Sequence, residues 1–441
     1  MRPSRADTPA LDVTLTVPDS GAGRAPPVTT ASPRRPEPAG WGLISLYTLS
    51  FAGGSLVLIA PLLVTLALKV NDLVGIDAAP KSLALVTGAG SLLAMVSNPV
   101  FGRLSDRTTS RLGMRRPWML IGLAGGTVGT VVVALAPSIG VVLVGWCTAQ
   151  VSFNALLAAQ VAVLPDQVPG TQRGMVSGVL GICTPVASVA GTYLVQAFEG
   201  HVLVMFLAPC AVGGLLVVVF ASRLDDRRLD RADRPPWSLR QVAGSFSVSP
   251  RRAPDFAWAF ASRFLLLMAY AFLVTYQAYY LLHQLGSAES DVPHQIYLGT
   301  LMQSAVLVAV SPIAGRLSDR VGRRKPFVAV AAVIYAAALL VVATAGGLEG
   351  FLVGMTIGGL GFGMYMAVDL ALVVDVLPDT GSAAKDLGVL NIAGALPFAL
   401  APALAPAILA LGGGSYAVLY TVAGSCALLG AAAILPVKGV R

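Results

Sequence analysis

Apolar residues run along this chain in long blocks, interrupted by short clusters of charge, glycine and proline. The blocks cover 41–69, 82–102, 118–137, 138–164, 174–198 and 202–222, then 256–282, 294–315, 326–345, 351–376, 387–411 and 416–436. Each is close to or above the ~20 residues that carry a helix across the hydrocarbon core of a bilayer. In lipid a lone spanning segment must satisfy its own backbone groups, and only a helix does so. The pattern therefore predicts an all-α membrane protein with twelve transmembrane helices in two sets of six.

Composition sharpens this picture. Hydrophobic residues make up 56% of the 441 and charged residues 12%, against about 25% charged in ordinary soluble domains. Mean hydropathy is +0.76. A soluble enzyme is excluded on these grounds, and no nucleophile with a base, CxxC pair or histidine cluster suggests a membrane enzyme or a metal site. No cofactor is expected. Cys147, Cys183, Cys210 and Cys426 each sit inside an apolar block, so they read as small buried side chains.

The net charge of +8 would suit nucleic acid if it formed one patch, but it is dealt out between helices. With the N-terminus inside, 27 of the 30 Lys and Arg fall in cytoplasmic segments, against Lys69 and Lys81 outside and Arg263 within a block. The bias toward inside-facing basic loops places both termini in the cytoplasm and the chain in a cell membrane. No nucleic-acid partner is expected. Residues 1–40, with eight prolines and no apolar core, read as a disordered cytoplasmic tail, and 437–441 as a cytoplasmic C-terminus. Residues 223–255, mixing arginines and acids, read as a linker between an N-terminal half, 41–222, and a C-terminal half, 256–436.

The halves repeat one another. Gly102-Arg103-Leu104-Ser105-Asp106-Arg107 recurs as Gly315-Arg316-Leu317-Ser318-Asp319-Arg320, an offset of 213, and Leu164-Pro165-Asp166 recurs as Leu377-Pro378-Asp379 at the same offset. Parallel repeats of this kind place a substrate cavity between the halves and favour alternating access.

The loops Gly102–Pro117, GRLSDRTTSRLGMRRP, and Gly315–Pro326, GRLSDRVGRRKP, carry a glycine, an Asp-Arg pair, a second glycine and a basic cluster. On these residues the sequence resembles the major facilitator superfamily over 41–436. The resemblance implies two pseudo-symmetric six-helix halves and a conformational latch in these loops, carried by Gly102, Asp106, Arg107 and Arg116 and by Gly315, Asp319, Arg320 and Arg324. A physical reason exists: an aspartate at a helix end can hold basic side chains and a neighbouring helix N-terminus. The long form SDRTTSRLGMRRPW is similar to the glycoside and sucrose cation-symporter branches, with Met114 interrupting the basic run. The arginine in the fourth helix that marks many proton-driven drug exporters of the superfamily is absent here.

Charges within the membrane are the default functional candidates, since each costs about 2.5–3.5 kcal/mol to insert. Arg263 lies seven residues into its block and Asp369 near the end of the tenth, so at 1.5 Å per residue both sit roughly 10–12 Å deep. Asp369 is the candidate proton-coupling carboxylate, with Arg263 favouring its charged form in one conformation; a permanent structural ion pair is the equal alternative. Asp375 pairs with loop arginines or takes part in coupling. Gln150 and Asn154, Tyr270 and Gln277, Gln303, Tyr365 and Asn391 are candidates for a polar cavity with aromatic faces, each weighed against a plain interhelical hydrogen bond. Tyr279 and Tyr280, at the end of their block, read as anchors in the interfacial aromatic belt.

The expectation is a secondary carrier, a monomer in the lipid bilayer, moving a small-molecule substrate and protons. Proton-coupled symport of a small polar solute such as a sugar or glycoside comes first, on the branch resemblance. Proton-coupled efflux of a small metabolite or drug is the alternative.

Overall fold

The computed structural model describes residues 39–230, 254–375 and 383–437. The expected tail lies outside the described residues but for 39 and 40, as do most of the linker, Leu377-Pro378-Asp379, and 438–441. The elements are α1 (Trp41–Ala60), α2 (Leu66–Asp106), α3 (Arg116–Ala134), α4 (Ile139–Gln167), α5 (Gly170–Ala197), α6 (Val202–Arg223), α7 (Pro254–His283), α8 (Val292–Val321), α9 (Lys325–Ala343), α10 (Leu348–Asp375), α11 (Ala383–Leu411) and α12 (Tyr416–Ala433). A single π turn, Pro61–Thr65, joins α1 to α2.

Among the described residues eleven helical stretches are long and apolar enough to cross a membrane, and the first, Trp41–Asp106, is 66 residues long. Gly75 (φ 71°, ψ 164°) breaks it. Residues 66–74 thus finish the first crossing and 76–106 make the second, which gives twelve. The sequence had suggested a loop between 69 and 82; instead one glycine makes the whole reversal, because its positive φ needs no loop around it.

Helix pairings recur six elements apart. α1 packs on α5 and α6, α2 on α4, and α3 on α4 and α6; correspondingly α7 packs on α11 and α12, α8 on α10, and α9 on α10 and α12. Between the sets α2 meets α11 and α5 meets α8. Where helices touch, small residues let backbones approach, as expected in lipid, where apolar contact alone gives no preference for protein over acyl chain. A Cβ at Gly53 would lie 2.6 Å from the Gly213 carbonyl oxygen, and one at Gly129 would lie 2.7 Å from that of Gly145. Outward faces carry bare Val144, Leu215 and Ile313, an apolar coat that suits acyl chains.

Candidate functional site

α10 places Tyr365 and Asp369 four residues apart, hence on one face. The Tyr365 hydroxyl donates to Asp369 Oδ1 at 2.6 Å. Arg263, from α7, pairs through Nη1 with Oδ2 of the same carboxylate. The carboxylate is buried, at 4% residue exposure. α11 comes within van der Waals reach of the guanidinium, the Cβ position of Gly394 standing 3.9 Å from Arg263 Nη2. Two helices of one helix set thus supply the ion pair that equal depth in the sequence suggested.

An aromatic wall adjoins this centre. Tyr270 stacks on Phe362 with centroids 4.3 Å apart and planes at 9°; Phe398 meets Tyr270 edge-on at 6.1 Å, and Tyr335 approaches Phe362 at 5.8 Å. Gly358 continues the line, since its Cβ position lies 3.5 Å from Gln303 Nε2 and 3.6 Å from Tyr335 Cε2. Among the described residues Arg263 Nε, Gln303 Nε2 and the Tyr335 hydroxyl are buried without a hydrogen-bond partner. Unpaired buried donors are uncommon in native proteins and call for an explanation; of these, Gln303 Nε2 and the Tyr335 hydroxyl lie beside the aromatic rings and Arg263 Nε beside the Asp369 carboxylate.

The other candidates are placed differently. Gln150 and Asn154 are buried on α4, but Asn154 Nδ2 donates to the Gln150 carbonyl at 2.8 Å, so this bond stays within the helix. Gln277 is buried on α7. The side chains of Asp319, Asp375 and Asn391 lie outside the described residues.

At the end with the basic loops, Arg115 and not Arg116 is the hub. It bonds Asp106 Oδ1 at 2.7 Å, Asp166 Oδ2 at 2.8 Å and the Ser105 hydroxyl. Burial works against its charge, but the hydrogen bonds it donates to Asp166 and Asp106, with their charges, more than offset this and hold the guanidinium charged, above its ordinary pKa. Arg116 instead reaches the Leu224 carbonyl. The N-terminus of α3 is capped from the start of the linker: Asp226 Oδ2 accepts from the backbone N–H of Arg115 at 2.7 Å and of Arg116 at 2.8 Å, where a carboxylate also meets the positive end of the helix dipole. The tight turns fall on Gly113 (φ 101°) and Gly322 (φ 63°), whereas Gly102 and Gly315 lie inside α2 and α8. Gly113 also makes room for the linker, because a Cβ there would overlap the Asp226 carboxyl. Gly113→Ala is expected to dislodge Asp226 at a strain of order 1–3 kcal/mol. Trypsin cleavage after Arg227 and Arg228 should then speed up roughly fivefold or more, and unchanged cleavage would remove the clamp.

The opposite end is closed by tyrosines of α7. Tyr276 lies 3.2 Å from the Pro402 carbonyl and 3.3 Å from that of Pro80, Tyr279 donates to the Ala67 carbonyl at 3.0 Å, and Tyr280 to that of Val342 at 2.6 Å. Tyr279 and Tyr280 are fully buried, so the aromatic-belt expectation fails. α7 packs against α2, α11 and α12, and the two hydroxyls are spent on the carbonyls of Ala67 and Val342, so these rings face protein and not headgroups. Asn71 Nδ2 adds a contact to Glu289 Oε1 at 3.3 Å.

The sequence profile of the Major Facilitator Superfamily matches residues 43–310 and 292–440. The chain belongs to the Major Facilitator Superfamily. Its structure is similar to those of a nucleoside transporter, NupG (TM-score 0.71, 13% identity, 90% of this chain and 99% of that one), and a peptide transporter, POT (TM-score 0.70, 13% identity, 90% and 95%). A third likeness is to a bacterial homolog of the human lysosomal transporter Spinster in an inward-facing, occupied conformation (TM-score 0.68, 14% identity, 90% and 96%). In sequence it is 35% identical over 159 residues to Multidrug resistance protein MdtL of Klebsiella pneumoniae (strain 342), a stretch covering 36% of this chain and 38% of that protein. As a member of the superfamily it is a multi-pass membrane transporter of small molecules and not an enzyme.

Arg115, Asp226 and Tyr276 were missed as site residues in the sequence. Asp166 had a signal, since Leu164-Pro165-Asp166 repeats across the halves, and a repeated acid beside a basic loop invites a partner. Tyr276 had none.

Proposed function

We propose that this chain is a proton-coupled symporter of a small polar, ring-bearing solute of the sugar or glycoside class, with Asp369 carrying the proton and Arg263 holding it in charged form. The observation that carries the reading is the buried Arg263–Asp369–Tyr365 centre set against the Tyr270–Phe362 wall. A carboxylate paired only to one arginine and one hydroxyl can trade its cation for a proton when the helices around it move. Neighbouring unpaired donors suit solute hydroxyls, which need partners once out of water, and stacked rings suit the apolar face of a sugar. In this reading 41–222 and 256–436 rock about the cavity in a cell membrane, as a monomer, with both termini and the basic loops in the cytoplasm.

A second reading, export of an amphiphile against protons, is favoured by the stretch shared with Multidrug resistance protein MdtL. Proton flux in proteoliposomes of known orientation separates the two. Disaccharides, glycosides and hydrophobic amphiphiles are added in turn: alkalinisation outside in step with sugar uptake is the expected result, and proton movement opposite to an amphiphile would replace symport with export.

The Arg115 cluster is the latch of this proposal, with Asp106 bridging the end of α2 to the start of α3. Asp106→Asn is expected to lower turnover roughly tenfold through loss of a charge-assisted bond without lowering the melting temperature. Unaffected turnover would take the latch role away from the first loop.

A further inference from the structure

The two seams between the helix sets are not alike. Along one, α2 meets α11, and a Cβ at Gly88 would lie 3.5 Å from the Ala399 carbonyl oxygen, so the two backbones nearly touch. Along the other, α5 meets α8. The repeat offset of 213 puts Leu301 of α8 where α2 has Gly88, and a leucine side chain holds a facing backbone off. The seam there contains a cavity of about 440 Å³, walled by Val186, Val189 and Ala190 of α5 and by Leu301, Ala305 and Val308 of α8. It opens sideways. Met175, Val179, Ile182, Val186 and Tyr193 are exposed and recur with helical period along one face of α5, while Val176, Leu180, Cys183 and Ala187 are buried on another. Two members of that outward apolar stripe, Val186 and Tyr193, line the cavity as well.

We infer that the α5–α8 seam is a binding site for one acyl chain of a phospholipid from the leaflet away from the basic loops. Depth supports this occupant. At 1.5 Å per residue the cavity runs from Tyr193 and Tyr297, roughly 6–8 Å inside the helix ends, down to Pro185 and Val308, roughly 18–24 Å inside. That is close to one leaflet of a hydrocarbon core about 30 Å thick. Chemistry supports it too: a cavity with these walls is too apolar to hold water, and its side chains gain dispersion contacts from a methylene chain. Tyr193 and Tyr297 come from different helix sets and meet across the seam with ring centroids 5.7 Å apart. They stand at the depth where tyrosines favour the edge of the headgroup layer, which places the chain below them and its ester end beside their hydroxyls. Because α5 and α8 belong to different sets, a chain held there is gripped by both, and relative motion of the sets changes the width of its site. The inference rests on the chain spanning a bilayer, and on neither its solute nor its coupling ion.

The test is photolabelling of the full chain in nanodiscs of phosphatidylcholine that contain a small fraction of the same lipid with a diazirine near the end of one acyl chain. On illumination the diazirine loses N2, and the carbene inserts into a neighbouring O–H or C–H bond; peptide mass spectrometry locates the adduct. Ser304 is the informative position, since it lines the cavity and is buried. A lipid lying against the outer surface does not reach it, whereas a chain in the seam does. Leu215, exposed at a similar depth of α6, reports the surface lipid. Adducts at both Ser304 and Leu215 are expected. Ala305→Phe, which fills the cavity from α8, should lose the Ser304 adduct and keep that at Leu215, and Ala190→Phe, which fills it from α5, should do the same should the first variant fail to fold. Labelling of Leu215 without Ser304 in the parent would mean that lipid only coats the molecule, and would overturn the inference. Persistence of the Ser304 adduct in the folded filled variants would overturn it as well. Loss of that adduct on adding tetraphenylphosphonium, with Leu215 still labelled, would give the cavity to a transported amphiphile instead. No proton or solute gradient enters the measurement, so its failure leaves the coupling reading standing, and failure of coupling leaves the lipid site standing.

Discussion

Asp369→Asn is expected to collapse proton-driven accumulation to equilibration while exchange of solute across the membrane continues. The substitution is nearly isosteric, and the amide oxygen can still accept from the Tyr365 hydroxyl, whose bond to Oδ1 is 2.6 Å in the native chain. What disappears is the only group in the centre that can both pair with Arg263 and take a proton. A gradient of two pH units can sustain about 100-fold accumulation per proton carried, since each unit is worth about 1.4 kcal/mol. In proteoliposomes the accumulation ratio of the variant should fall from that order to about one, with counterflow within a few-fold of the parent. Retained accumulation would refute Asp369 as the carrier of the proton.

The same centre shows what was legible in the sequence and what was not. Equal depth of Arg263 and Asp369 could be counted from the block boundaries, and the i, i+4 relation of Tyr365 to Asp369 follows from helical periodicity. That α7 and α10 turn these residues toward each other could not be counted, because helix rotation in lipid is set by packing of small residues and not by an apolar stripe. The aromatic wall was half-visible for this reason: Tyr270 stood out as polar, while Phe362 and Phe398 were lost among apolar neighbours.

The basic loops show a similar limit. Their duplication pointed to the family and to the loops, but not to which arginine would be the hub. Arg115 precedes α3 as its N-cap and turns inward to Asp106 and Asp166, while Arg116 begins the helix and reaches the linker at Leu224. One residue of register separates the two roles, and register at a helix start is decided by the cap. The carboxylate that takes up the first backbone N–H groups is that of Asp226, over a hundred positions away. Likewise the twelve-helix count came through intact, whereas the first interhelical turn shrank to Gly75, since a run of polar residues says nothing about how few of them need leave the helix.

Arg263→Ala separates a coupling pair from a structural one. With its cation gone, Asp369 is either a bare buried charge or permanently protonated, and breaking such a pair on one side typically costs about 3–5 kcal/mol. The variant should melt well below the parent in detergent. Adding Asp369→Asn removes the stranded carboxylate, so the double variant should melt above Arg263→Ala and no lower than Asp369→Asn, which by the same argument strands the arginine, as expected when each residue's cost is the other's loneliness. Failure of that rescue would mean that Arg263 stabilises the fold through contacts other than the carboxylate. The recovered double variant then decides the role. If the pair were only a strut, a rescued and folded carrier would still concentrate solute on a proton gradient through some other group. If the pair is the coupling device, the double variant folds, exchanges solute, and concentrates nothing. The measurement is the accumulation ratio of a protein already shown to be folded, so loss of structure and loss of coupling are read apart.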